Sequence, residues 1–187
     1  MKRGILFAGV VALVGSTTVS SCRRAADPQQ LATVDSLINA LEAARLTLNE
    51  LDTQRYAKAD SILQATRGLF LQRFNDTLAK DLATTLGDQF VQLREADRRG
   101  TDHRNVYRSV VDAGLRLKKL RHDVSVAALE PKDVTAALTN ERLAAEVIEG
   151  GVLQVISNYQ STQRVLERQP LVDSLLIDTL PERRIPR

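Results

Sequence analysis

The sequence predicts an all-α fold: an elongated antiparallel helical bundle with coiled-coil-like packing, four to five long helices plus a short C-terminal helix. Three observations carry this. Apolar residues recur at alternating steps of three and four over most of the chain, which is the period of one helix face. Glycine and proline are sparse, 9 and 5 in 187 residues. No alternating β-branched run is bounded by Gly-containing turns, so strand signals are poor.

Asp27-Pro28 offers a helix start, with Asp27 as N-cap and Pro28 at the first helical position. Val34, Leu37, Leu41, Ala44, Leu48 and Leu51 then recur at 3,4,3,4,3 spacing, a packing seam that predicts helix one to about Leu51. Asp52 is placed to cap helix two, and Leu51 with Tyr56 occupies the positions of a hydrophobic staple. Helix two should turn Tyr56, Ala59, Leu63, Thr66 and Phe70 inward and end near Phe74. Asn75-Asp76-Thr77 competes with helix interiors and marks either a break or a kink. Helix three, about 77–98, shows Leu82, Leu86, Phe90 and Leu93.

Arg98-Arg99-Gly100-Thr101-Asp102 reads as a loop, with Gly100 as terminator and Asp102 as the next cap. Helix four, about 102–128, carries the seam Val106, Val110, Ala113, Leu117, Leu120, Val124, Ala127. Pro131 opens the last long helix, and Leu129 with Val134 forms a second staple. Its seam reads Val134, Leu138, Glu141, Ala145, Ile148, Val152, Val155, Tyr159, Thr162, Leu166. Gly150-Gly151 implies a kink there or a close crossing. Gly68, Gly87 and Gly114 read as close-packing or terminating positions. Pro170 should stop the helix; Leu171, Leu175, Leu176 and Leu180 suggest a short closing helix. The domain is expected over 31–180, followed by a flexible basic tail at 181–187.

The first 22 residues have a different grammar. Lys2 and Arg3 precede the apolar run Gly4–Gly15, which is followed by a small, hydroxyl-rich stretch. These are the three parts of a secretory signal. The apolar run is shorter than the ~20 residues needed to span ~30 Å of hydrocarbon, so cleavage is expected rather than an uncleaved anchor. Val19-Ser20-Ser21-Cys22 resembles the lipobox of bacterial lipoproteins, with Val19 where Leu is usual and Ser21 where Gly or Ala is usual. The resemblance implies that residues 1–21 are removed and that Cys22 is lipidated. Residues 22–30 would then be a tether to the membrane. Arg23 stands where Asp marks inner-membrane retention in that family, so the resemblance leans toward the outer membrane, facing the periplasm. The chain holds one cysteine, at the one position a lipobox needs it. Lipidation would remove a stray thiol from an oxidising compartment.

Loss of the leader removes two bases and no acids, leaving 24 basic and 23 acidic side chains. The apparent basicity is largely a targeting feature, and a nucleic-acid partner loses its main support. The segments Leu51-Asp52-Thr53, Thr85-Leu86-Gly87-Asp88 and Leu117-Lys118-Lys119-Leu120-Arg121-His122-Asp123 loosely resemble helical envelope lipoproteins of no settled role. That likeness implies architecture and no activity.

The sequence offers no catalytic residue, metal site or cofactor site. His103 and His122 lie nineteen residues apart on one expected helix, about 28 Å, too far to share a metal. There is no Glu-x-x-His, no Cys-x-x-Cys-His and no Gly-x-Ser-x-Gly. Glu141 is the one acid on a seam, and its expected fate is a pair with an arginine or a place near the seam's edge. Arg116, Lys118, Lys119 and Arg121 form a basic cluster, either the solvated flank of helix four or a patch for an anionic partner. Two roles are expected from these features. The first is a non-enzymatic, membrane-anchored envelope lipoprotein acting as a structural or protein-interaction module, with an envelope protein partner and oligomerisation possible. The alternative is a periplasmic holdase-like or hydrophobic-ligand carrier.

Overall fold

The computed structural model describes residues 26–75 and 77–177. Cys22 and its leader, Asp76 and the tail from 178 lie outside the described residues. Five helices follow in order: α1 Pro28–Glu50, α2 Gln54–Phe74, α3 Lys80–Arg94, α4 Ala96–Ser125 and α5 Pro131–Ile177. No strand occurs among the described residues.

The helices make three arms that run up, down and up. The first is α1 followed by α2, the second α3 followed by α4, and the third α5 alone. Cross-arm contacts fix the register. Asp35 faces Arg121 and Leu48 faces His103, so α1 and α4 are antiparallel. Arg116 faces Glu141 and Arg99 faces Thr162, so α4 and α5 are antiparallel. Arg73 reaches Leu176, so α2 runs parallel to the end of α5. At 1.5 Å per residue, the 47 residues of α5 span about 70 Å, the length of the whole bundle.

The core is divided along this axis. A proximal cluster joins α1, α4 and the first half of α5 through Val34, Leu41, Leu48, Val110, Leu117, Val134 and Val155. A distal cluster joins α2, α3 and the second half of α5 through Ala59, Phe70, Leu86, Leu93, Val165 and Val172, with Ala96 at the start of α4.

Local chemistry explains most of the ends. Asp27 accepts from the Gln29 N–H at 2.9 Å, with Pro28 in the first turn. Asp52 accepts from the Gln54 N–H at 3.0 Å, satisfying one of the first free donors of α2. At the end of α4 the Ala127 N–H reaches the Val124 carbonyl and the Ala128 N–H reaches the Asp123 carbonyl. These two bonds form a Schellman closure. Its left-handed residue is Ala127, φ 51°, where glycine is usual.

Four expectations need correction. Helices two and three are separate, which decides the alternative the sequence left open, but α3 starts later and ends earlier than the expected 77–98. The expected loop at 98–102 is helical, because the arm breaks instead at Glu95, a single residue with near-helical backbone (φ −81°, ψ −7°). Gly100 does not terminate a helix. It lets α2 cross close to α4, since a Cβ there would stand 3.2 Å from the Tyr56 Cβ. Pro170 does not stop α5, and no separate closing helix forms before Ile177. Proline inside a helix costs about 3 kcal/mol. Burial of Val165, Val172 and Leu176 on either side of it holds the helix on course.

The two central glycines split. Gly151 is the close crossing, its would-be Cβ 3.2 Å from Val106 Cγ2, whereas Gly150 has open space. Gly68, Gly87 and Gly114 also face open space, so they are neither close-packing nor terminating positions.

Candidate functional site

Where the two cores meet, the interior turns polar. Arg99 and His103 from α4, Tyr56 from α2, and Asn158 and Thr162 from α5 are all buried. Arg99 donates through Nη1 to Thr162 Oγ1 at 3.4 Å and through Nη2 to Gln92 Oε1. Its Nε has no partner, and among the described residues no carboxylate lies within ion-pair distance of it. Burial pulls this guanidinium below its usual pKa, opposed by the field of Glu95. Arginine nonetheless keeps its charge in a protein. The waist therefore holds a buried cation supported by neutral groups.

His103 Nε2 lies 3.2 Å from the Leu48 carbonyl in the last turn of α1, which also accepts the Leu51 N–H at 3.3 Å. Donation to that carbonyl places the proton on Nε2 and leaves Nδ1 as a bare acceptor; Nδ1 has no partner. Burial lowers the His103 pKa, which favours the neutral ring. Tyr56 meets His103 edge-on at 5.9 Å and Tyr159 at 6.2 Å. Its hydroxyl is unpartnered, and burial pushes its pKa up to about 12. On the surface beside it, Arg55 lies 5.5 Å over the Tyr159 ring.

A second polar contact lies further along α5. Gln89 donates through Nε2 to both the Val165 carbonyl and Gln169 Oε1, each at 2.9 Å. It ties α3 to α5 in the turn just before Pro170.

The waist opens to solvent through a groove of about 580 Å³ between the end of α1 and α4. Leu48, Leu51, Tyr107 and Val111 make it mainly apolar, and Arg104 and Arg108 stand along it. A narrower cleft of about 180 Å³ shares Val111 and runs on past Leu41 and Leu115 to Lys118.

The distal end has its own surface. Leu69, Leu71 and Phe74 on α2 are exposed, as are Leu171 and Ile177 on α5. The Arg73 Nε donates to the Leu176 carbonyl at 3.3 Å, which ties the end of α2 to α5. Phe74 packs on Phe70 and Phe90 with ring centres 6.1 and 5.6 Å apart.

Cys22 lies outside the described residues. The four bases of the expected cluster diverge. Arg116 leaves one flank of α4 to clamp Glu141 on α5 with two bonds of 2.9 and 3.1 Å. Arg121 leaves the other flank to pair with Asp35 on α1. Lys118 and Lys119 stay exposed between them. Glu141 thus finds an arginine, the first of its two expected fates.

The sequence reading missed Arg99, Gln89, Asn158 and Gln169 as interior groups. One signal was available: His103 and Arg99 stand four apart and continue the α4 seam one turn at a time from Val106. Among the described residues no group of three or more His, Cys, Asp or Glu could hold a metal ion, and no helix is long and apolar enough to cross a membrane. No protein-family model, curated protein or solved structure matches the chain.

Proposed function

We propose that the protein is a non-enzymatic, membrane-anchored envelope lipoprotein that works as a spacer and presents its distal end to a partner protein. The observation that carries this reading is polarity along the rod. Ala26 and Asp27 lie beside Val124, Leu129 and Pro131, at the proximal pole. Cys22 is only four residues further back, so a lipid on it would hold that pole to the membrane, on the outer membrane's periplasmic face. Phe74 and Ile177 lie at the other pole, about 70 Å away by the length of α5. Partly exposed aromatic and aliphatic side chains on a braced surface are the usual anchors of protein interfaces.

The closed seams of both cores favour this spacer over a carrier that splays its helices around apolar cargo. Exposed Leu143, Val147 and Leu153 on the outer side of α5 leave room for a second copy alongside. The test is mass spectrometry of the mature N-terminus, combined with membrane fractionation of wild type and Cys22→Ser. An acylated Cys22, with release of the variant from membranes, is expected. An unmodified N-terminus on soluble protein would overturn the reading.

A further inference from the structure

The groove at the waist pairs an apolar lining with cations that no acid answers. Arg104 and Arg108 stand one helical turn apart on α4, where like charges repel. Arg104 donates only to the neutral Thr101 Oγ1, at 2.9 Å. Among the described residues no carboxylate lies within ion-pair distance of Arg108. The nearest acid of the turn faces elsewhere: Asp52 holds the Gln54 N–H and Arg55, and lines a separate hollow with Lys58 and Glu167. Asp112, one turn on from Arg108, makes no ion pair with it and lends its field to Arg116.

The groove is also the right size. Ligand pockets run about 300–1,000 Å³ and are mainly apolar with a few placed polar groups; this one is about 580 Å³. Its lining is fixed from below. His103 ties α4 to the last carbonyls of α1, and Leu48 is 1% exposed in the proximal core.

From this juxtaposition we infer that the groove binds a single-chain amphiphilic anion, its chain over Leu48, Leu51, Tyr107 and Val111 and its head between Arg104 and Arg108. The inference does not depend on lipidation of Cys22 or on a distal partner. An apolar chain accounts for the lining, and an anionic head accounts for two adjacent guanidinium groups left without carboxylates. Each charge-assisted contact contributes about tenfold in affinity.

The test uses the full chain in neutral phosphatidylcholine nanodiscs and a dodecyl phosphate carrying a photoreactive group on its chain. Labelling is mapped by mass spectrometry. The expected result is labelling concentrated at 48–53 and 104–111. Unlabelled dodecyl phosphate should compete, whereas inorganic phosphate and dodecyltrimethylammonium should not. Arg104→Gln with Arg108→Gln should cut labelling about tenfold or more. If that variant misfolds, the head-group and chain competition on wild type still decides. Equal competition by the cationic amphiphile would remove the head-group claim, and equal competition by inorganic phosphate would remove the chain claim. Competition only by anionic diacyl vesicles would make the groove a membrane contact and overturn the proposal.

Discussion

The two halves of the rod solve the same packing problem differently. The proximal half is closed by aliphatic side chains and clasped on its flanks by Arg116–Glu141 and Arg121–Asp35. The distal half builds its core around Phe70, takes in Gln89 and Gln169, and leaves Phe74 and Ile177 exposed at its tip. Between them lies a layer with a buried, carboxylate-free arginine. Under the proposed function the proximal half would be the strut and the distal half the contact surface. The waist is where stability gives way to other demands, since buried polar atoms without partners cost about 1–3 kcal/mol each.

The largest effects should separate the two cores. Leu117 and Phe70 are both fully buried, one in each half. Leu117→Ala should cost about 2–5 kcal/mol and Phe70→Ala about 3–5 kcal/mol in urea denaturation. Native-state hydrogen exchange sharpens the comparison. Leu117→Ala should lower protection first in α1 and the start of α5, and Phe70→Ala first in α2 and α3. Identical loss throughout would mean that the waist does not divide the bundle.

The waist itself comes next. Replacing a buried charge by an apolar residue of similar length is often stabilising. Arg99→Met should raise stability by about 1 kcal/mol, measured by the same denaturation. A loss of comparable size would show that the guanidinium is compensated by something other than Thr162 and Gln92.

The glycine pair gives a smaller contrast. Gly150→Ala should gain about 0.5–1 kcal/mol, because alanine is the better helix former and nothing crowds the site. Gly151→Ala should gain less or lose, because Val106 must move. Equal gains at both positions would deny the close crossing of α4 and α5.

The pH response near neutrality should be smaller still and confined to the waist. The His103 pKa is lowered in the folded state, so the unfolded chain takes up its proton first as pH falls. Stability should therefore begin to fall as pH drops through about 6.5, and the fall should level off below the lowered folded value. The carboxylates held down by arginines, Glu42 and Glu95, act only below their ordinary value of 4.5. His103→Gln should remove the slope between pH 7 and 5 and leave the acid limb in place. A slope unchanged in that variant would assign it elsewhere.

The caps and the proximal seam were legible in the sequence because each is a local rule: Asp27-Pro28, Asp52, Pro131, and the apolar steps of α4. The distal half was harder to read. On α5 the apolar pattern runs Val155, Tyr159, Thr162, Leu166, yet the buried face is Val155, Asn158, Thr162, Val165, Gln169, Val172. Two consecutive steps of three, Val152 to Val155 to Asn158, shift the seam as α5 exchanges α1 for α2 and α3 as neighbours. Hydrophobicity could not announce this, because the residues that mark the shift are polar. Gly100 misled for a related reason, since a glycine needed for a close crossing has the same spelling as a terminator. The αL closure at Ala127 carried no glycine at all. The basic cluster was visible, but which acid would meet each arginine depends on neighbours 25 and 86 residues away.

The claim that the distal pole is the contact surface is tested most directly by photo-crosslinking in cells. A photoreactive residue would be placed at Phe74 in one strain and at Lys119, in the proximal half, in another. The account predicts a discrete protein adduct from position 74 that disappears with Leu71→Ser, and no such adduct from position 119. An adduct from 119 alone, or equal adducts from both, would contradict it.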